Sequence, residues 1–180
     1  NNQQLSAIKN QVGDIYLNRL APFKNRALDV DVVQDLMIHD LDLLNFLFNF
    51  NRDTDVHIKA TGQKVVSDNW DIVDARLVWP TSGRRAGIRS VRNYVSSVRS
   101  LEIINSAGTI LVDLVNNKIF YVDTNRHEDG IKTIFFEKGD YLALEQNAFY
   151  HSILKDVPVA VTFEEGLLAI KMAIKVLEAI

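Results

Sequence analysis

The hydrophobic positions of this chain change rhythm twice along its length. From Val32 to about Phe48 they cover most of a helical circumference: Val32, Val33, Leu36, Met37, Ile38, Leu41, Leu43, Leu44, Phe46, Leu47 and Phe48. That density predicts a helix buried on most sides. Asp31 stands where an N-cap belongs, with Gln34 three residues on, a capping-box arrangement. From Val56 to about Phe136 the pattern shortens to β-rich segments cut by turn residues. Strands are expected over Val56–Val65, Ile72–Trp79, Ala86–Val95, Leu101–Asn105, Thr109–Leu114, Lys118–Asp123 and Lys132–Phe136. The Ser106-Ala107-Gly108 and Asn116-Asn117 connections are of hairpin length, so neighbours should pair antiparallel. Helical rhythm returns from Asp140 to about Lys155, and again after Thr162, which has Glu165 at its capping-box position.

Ahead of the long helix, residues 1–11 read as the end of a helix stopped by Gly13 in the manner of a helix C-terminus. Asp14–Leu20 reads as a strand and residues 21–30, with Pro22, Lys24, Asn25 and Arg26, as a polar loop. Residues 124–131 form a second polar loop. Strands followed by segregated helices, rather than a regular strand-helix alternation, predict an α+β fold: one open, mostly antiparallel sheet with helices packed on one face. The 180 residues suit a single domain, and a chain that opens in mid-helix reads as part of a longer protein.

Composition narrows the function. Apolar residues make up 47% and charged residues 24%, so the chain should fold rather than stay disordered. The sequence shows neither a membrane-spanning apolar run nor a signal peptide, which predicts a soluble protein. Cysteine is absent, which removes disulfides, thiolate nucleophiles and thiolate metal sites and fits a reducing cytoplasm. A net charge of −3 argues against nucleic-acid and anionic-membrane partners. Arg84, Arg85, Arg89, Arg92 and Arg99 are concentrated on the strands; a solvated strand face explains them more readily than a phosphate site.

The candidate chemistry lies on the long helix. Asp35, His39 and Asp42, at i, i+4 and i+7, share one face of it. In the structural reading Asp35 accepts a hydrogen bond from His39 and the stripe faces water or a neighbouring loop. In the functional reading His39 is a general acid/base for a substrate hydroxyl, with Asp35 setting its tautomer, a task that suits imidazole because its ordinary pKa of about 6.5 lies near working pH. Spacing alone leaves both open. His57, His127 and His151 stand in no ligand spacing, so no metal is expected. The eight glycines form no G-x-G-x-x-G, P-loop or nucleophile-elbow motif, so no cofactor-binding residue is expected in this chain.

The run Asp29 to Asp42 (D-V-D-V-V-Q-D-L-M-I-H-D-L-D) resembles the signature of the glucose-fructose oxidoreductase, inositol dehydrogenase and rhizopine-catabolism family, Gfo/Idh/MocA. Gly13-Asp14-Ile15, Arg99 to Gly108, Glu145 to Phe149 and Pro158 to Ile180 support the resemblance. It implies the dihydrodipicolinate-reductase-like C-terminal domain of an oxidoreductase, without the Rossmann domain that binds NAD or NADP, and self-association into a homo-oligomer through the open sheet face. It also implies that Asp35 and His39 face a sugar or nucleotide-sugar substrate, with His39 transferring the proton. The form D-L-M-I-H-D-x-D is similar to members acting on nucleotide sugars, such as UDP-N-acetylglucosamine 3-dehydrogenases. Asn18, Arg19 and Asp42 are then expected substrate contacts, and Arg19, Lys24 and Arg26 partners for a substrate diphosphate. The alternative is a non-enzymatic assembly or ligand-sensing module whose sheet face, through residues such as Val91, Val95, Val112 and Leu114, pairs with a second copy.

Overall fold

The structure is a computed structural model that describes residues 10, 13–48, 55–124, 130–159 and 161–180. Apart from Asn10, the helix expected over residues 1–11 lies outside them, as do His127 and the rest of 125–129. Alternating side chains build the sheet. Its strands are β1 (Asp14–Leu20), β2 (His57–Gln63), β3 (Ile72–Trp79), β4 (Arg84–Val91), β5 (Val98–Asn105), β6 (Gly108–Asp113), β7 (Lys118–Asp123) and β8 (Lys132–Phe135). They lie in the order β2-β3-β4-β1-β5-β6-β7-β8. Every neighbouring pair is antiparallel except β1 with β4, so the sheet is open and mostly antiparallel, as the turn spacing predicts.

Insertion of β1 between β4 and β5 moves two strand boundaries from those expected. The chain leaves β4 at Val91 and crosses the end of β1, where the Ala21 N–H donates to Val91 O and the Tyr94 N–H to Ala21 O, both at 2.8 Å. Strand β4 therefore stops four residues short of Val95, and β5 starts early at Val98 because Val98 pairs with Leu20. Gly13 is also explained differently from expectation. Its place beside β5 leaves no room for a side chain, since a Cβ there would lie 2.2 Å from the Ile104 carbonyl oxygen.

One side of the sheet is covered. Val73, Ala75, Leu77 and Trp79 of β3, Ile15 and Leu17 of β1, and Ala86 and Ile88 of β4 pack under two helices. The first is α1 (Ile38–Phe48), preceded without a break by a π-helical turn, Val33–Met37, in which the Ile38 N–H reaches back five residues to Val33 O. It buries Val33, Met37, Leu41 and Leu44. The last helix, α3 (Phe163–Glu178), crosses it with Ala169, Met172, Ala173 and Val176 at i, i+3, i+4 and i+7. Between the sheet and α3 the chain forms α2 (Tyr141–Lys155), N-capped by Asp140, whose carboxylate accepts the Ala143 N–H. A second cluster, Ile103, Ala107, Ile110 and Tyr121, lies under β5 to β7.

The other side of the sheet is charged rather than apolar. Lys59, Asp74, Arg76, Arg89 and Glu102 line a trough with Tyr16, Asn18 and Thr61. Two of the valines expected on an exposed apolar face are elsewhere: Val91 is buried, and Val112 packs against both core clusters. The arginines disperse as well. Arg85 pairs with Asp14 and Arg89 with Asp74, whereas Arg92 is buried. A solvated face thus accounts for only part of the group.

Candidate functional site

Orientation of α1 is set by an ion pair that spacing along the chain does not reveal. Arg19 donates through Nε and Nη2 to both oxygens of Asp40, at 3.1 and 2.7 Å, and both side chains are largely buried. A bidentate guanidinium-carboxylate pair fixes direction as well as distance. It clamps the helix to β1 by Asp40, so the neighbouring His39 is held outward, where it is exposed.

The start of the helix differs from expectation. Gln34 and Asp35 donate their N–H groups to the Asp31 carbonyl, but the Asp31 carboxylate accepts the Trp70 N–H at 2.7 Å and forms no capping box. Val32 occupies the cap position and its N–H donates to Trp70 O. Fixing the entry from the β2–β3 connection in this way accommodates a π-helical turn, and such turns recur at functional sites.

His39 and Asp42 stand at the edge of a cavity of about 450 Å³ between α1 and the N-terminal half of α3, walled by Val161, Phe163, Leu167 and Ile170. The walls are apolar and the polar groups few, the usual character of a small-molecule site. Burial raises the Asp42 carboxyl above its ordinary value of 3.8; the charge of Glu165 across the gap raises it further, and His39 draws it part of the way back. Because the folded-state value exceeds the unfolded one, the stability that goes with the protonated form is fully present below pH 3.8 and is lost as pH rises through the raised value. Asp42→Asn is therefore expected to raise the melting temperature at pH 7 and to leave it unchanged near pH 3. Scanning calorimetry at the two pH values checks this, and equal effects at both would contradict it.

Expected site residues divide into two groups. His39, Asp42 and the partly exposed Asp35 lie on the helix, but Asp35 makes no side-chain hydrogen bond to His39 or to any other described residue. Arg19 is engaged with Asp40. Asn18 is one residue away on β1 and so points through the opposite side of the sheet, where its amide donates to Ser100 Oγ at 3.4 Å. Lys24 and Arg26 are exposed on the loop before α1, with neither side chain bonded to Asp35, His39 or Asp42. Asp40, Glu165 and Phe163 belong to the site's construction and escaped sequence reasoning. Only Glu165 had a local signal, its capping-box bond to Thr162, which gives no hint that it faces Asp42.

Among the described residues no group of three or more His, Asp or Glu side chains is placed to hold a metal ion, and no helix is long and apolar enough to cross a membrane. Nor do they fit a dinucleotide. The one parallel pair, β1 and β4, is separated by α1, β2 and β3 rather than joined by a glycine-rich turn and a single helix.

A curated UDP-N-acetylglucosamine 3-dehydrogenase of Acidithiobacillus ferrooxidans is 34% identical to this chain over 149 residues, 78% of this chain and 46% of that protein. A solved structure of the UDP-N-acetylglucosamine 3-dehydrogenase from the same organism superposes on 99% of the chain at a TM-score of 0.83 and 29% identity, over 57% of its own length. The chain is similar in sequence and in fold to oxidoreductases of the Gfo/Idh/MocA type. Its fold is that of the family's C-terminal domains. Levoglucosan dehydrogenase, solved with NADH and levoglucosan, shares that fold at a TM-score of 0.79 and 13% identity, over 97% of this chain and 58% of its own. No family model matches. The chain spans about half the length of the curated relative it matches.

Proposed function

We propose that the chain is the substrate-side part of a nicotinamide-dependent dehydrogenase acting on a sugar or nucleotide-sugar hydroxyl, with His39 as its acid/base. The observation that carries this reading is His39 itself, exposed at the edge of an apolar cavity on a helix clamped by Arg19 and Asp40, in a relative of a nucleotide-sugar dehydrogenase. Oxidising a secondary hydroxyl to a ketone removes a hydride from carbon and a proton from oxygen. NAD or NADP, held by a part of the longer protein that this chain does not span, would supply the hydride acceptor. The proton needs a base within reach of the hydroxyl, and the neutral imidazole of His39 accepts it there, returning it in the reverse direction.

Asp42 sits in the electrostatic field of His39 and stabilises the imidazolium formed during transfer. Asp35, one turn earlier and unengaged among the described residues, accepts a hydrogen bond from a neighbouring sugar hydroxyl. For self-association we propose the open sheet face. Arg76 and Arg89 stand beside Asp74 and Glu102, and a two-fold axis through such a face brings unlike charges together.

Titration of the full-length protein with NADH and NADPH by fluorescence, followed by assay with UDP-N-acetylglucosamine, tests the reading. Binding of one nicotinamide and turnover of the sugar are expected. A protein that binds neither nucleotide has lost the proposed function, and a monomer in light scattering on the same sample removes the sheet-face assembly.

A further inference from the structure

The loop between β1 and α1 is held more firmly than its exposure requires. Arg92, buried beside it, donates to the carbonyls of Ala27 and Val30, and Asn69 donates to that of Leu28. Ala27 itself has a φ of 53°, a left-handed conformation that residues other than glycine seldom adopt. Such strain persists only where the surroundings impose it, and it collects at functional sites. The loop so fixed presents Phe23, Lys24 and Arg26 to solvent. Tyr94, whose N–H donates to Ala21 O, adds a second aromatic ring at the root of the loop; Phe23 is 48% and Tyr94 39% exposed.

The cations at this end of the sheet divide by partner. Arg19 is bound to Asp40, and Arg92 lies against Asp71. Lys24, Arg26 and Arg99 are exposed, and none has a carboxylate partner among the described residues. The β1–β5 register sets Arg99 directly opposite Arg19, on the side of the sheet that carries α1, because it stands two residues before the buried Leu101. Like charges so placed repel, and Asp40 neutralises only one of them. Against Lys24, Arg26 and Arg99 the loop sets a single acid, Asp29.

We infer that the end of β1 binds a nucleoside diphosphate, the nucleotide end of the substrate, with Lys24, Arg26 and Arg99 on the phosphates and Phe23 and Tyr94 against the base. This rests on the function proposed above and narrows its substrate to nucleotide sugars. Guanidinium and ammonium groups suit diphosphate oxygens, and an aromatic ring stacks on any base. The loop hands over to the helix at Asp31, and a helical rise of 1.5 Å per residue carries His39 about 12 Å further on. A sugar held at His39 can therefore trail its diphosphate back toward the loop. A simple sugar has neither charge nor base, and would leave all five side chains without a use.

Isothermal titration of the full-length protein with UDP, and separately with inorganic pyrophosphate, tests the site. Lys24→Gln combined with Arg26→Gln, and Arg99→Gln alone, are each expected to raise the UDP dissociation constant by about tenfold. KM for UDP-N-acetylglucosamine should rise with it while kcat changes by less than about twofold, since ground state and transition state share these contacts. Phe23→Ala with Tyr94→Ala should weaken UDP by about fivefold and leave pyrophosphate unchanged. Lys175→Gln, which removes a cation from the last turn of α3, should bind UDP as wild type does. A wild-type UDP affinity in either cation variant overturns the inference. So does a loss that Lys175→Gln matches, because overall charge is then the cause, and pyrophosphate weakened as much as UDP by the aromatic variants overturns the contact with the base. UDP binding is independent of hydride transfer: a protein that binds UDP through these residues without oxidising the sugar upholds the site and removes the function, whereas an active dehydrogenase whose variants bind UDP normally removes the site alone.

Discussion

His39→Ala in the full-length protein is expected to lower kcat by about 10²–10⁴, the usual contribution of a positioned acid/base. KM should change little, because proton transfer belongs to the transition state; kcat and kcat/KM should then fall together. Folding should be unaffected. His39 is exposed and makes no side-chain hydrogen bond to another described residue, and substitutions at such positions stay within about 0.5 kcal/mol of neutral. The separation of turnover from stability is what distinguishes the proton-transfer role from the structural one left open by the Asp35–His39 spacing. A folded His39→Ala protein with wild-type turnover would falsify the assignment. The reverse signature, normal specific activity with a depressed melting temperature, would mean that the helix face serves packing.

What could be read in advance depended on how far along the chain the cause lay. Strand β3 alternates without interruption, and both of its ends were placed correctly because alternation is a local property of the strand itself. Thr162 and Glu165 close a capping box three residues apart, and that was legible too. The same three-residue arrangement at Asp31 and Gln34 misled, since the Trp70 N–H, brought in from another loop, takes the Asp31 carboxylate. Distance in sequence also hid the Arg19–Asp40 clamp, 21 residues apart, and the burial of Arg92, which resembled its solvated neighbours until the fold placed two carbonyls around it. Asn18 and Arg19 were read together as substrate contacts because they adjoin in sequence. In a strand, adjoining residues face opposite sides of the sheet. The helix face of Asp35, His39 and Asp42 was visible because helical spacing is local, but the cavity wall opposite it comes from α3, more than a hundred residues later.

Asp71→Ala is expected to cost about 3–5 kcal/mol, the largest stability loss predicted for this chain, because it breaks a buried pair and removes the acceptor of a whole turn. Asp71 is 0% exposed. One oxygen accepts the N–H groups of Val65 and Val66 at 2.7 Å and of Ser67 at 3.0 Å; the other accepts the Ser67 hydroxyl and lies 3.5 Å from Arg92 Nε. Burial by itself would raise the carboxyl's pKa, but the hydrogen bonds from Val65, Ser67 and Val66 outweigh it and hold the group below its ordinary value. With the folded value below the unfolded one, the stabilisation is present above the ordinary carboxylate range and lost as pH falls through the depressed value. The deficit of Asp71→Ala should accordingly be full at pH 7 and shrink in acid. Arg92→Met should cost less when added to Asp71→Ala than when made alone, since removing both partners leaves no uncompensated charge. Urea melts of the full-length protein and its three variants measure both quantities; additive losses would show that the two side chains act separately. The loss should also reach the candidate site. Arg92 holds the carbonyls of Ala27 and Val30 at 2.7 and 2.6 Å, and Asn69 that of Leu28 at 2.8 Å, so the same node fixes the loop from which α1 starts. Releasing that loop loosens the entry to the helix on which His39 stands, and turnover should fall even at temperatures where Asp71→Ala remains folded.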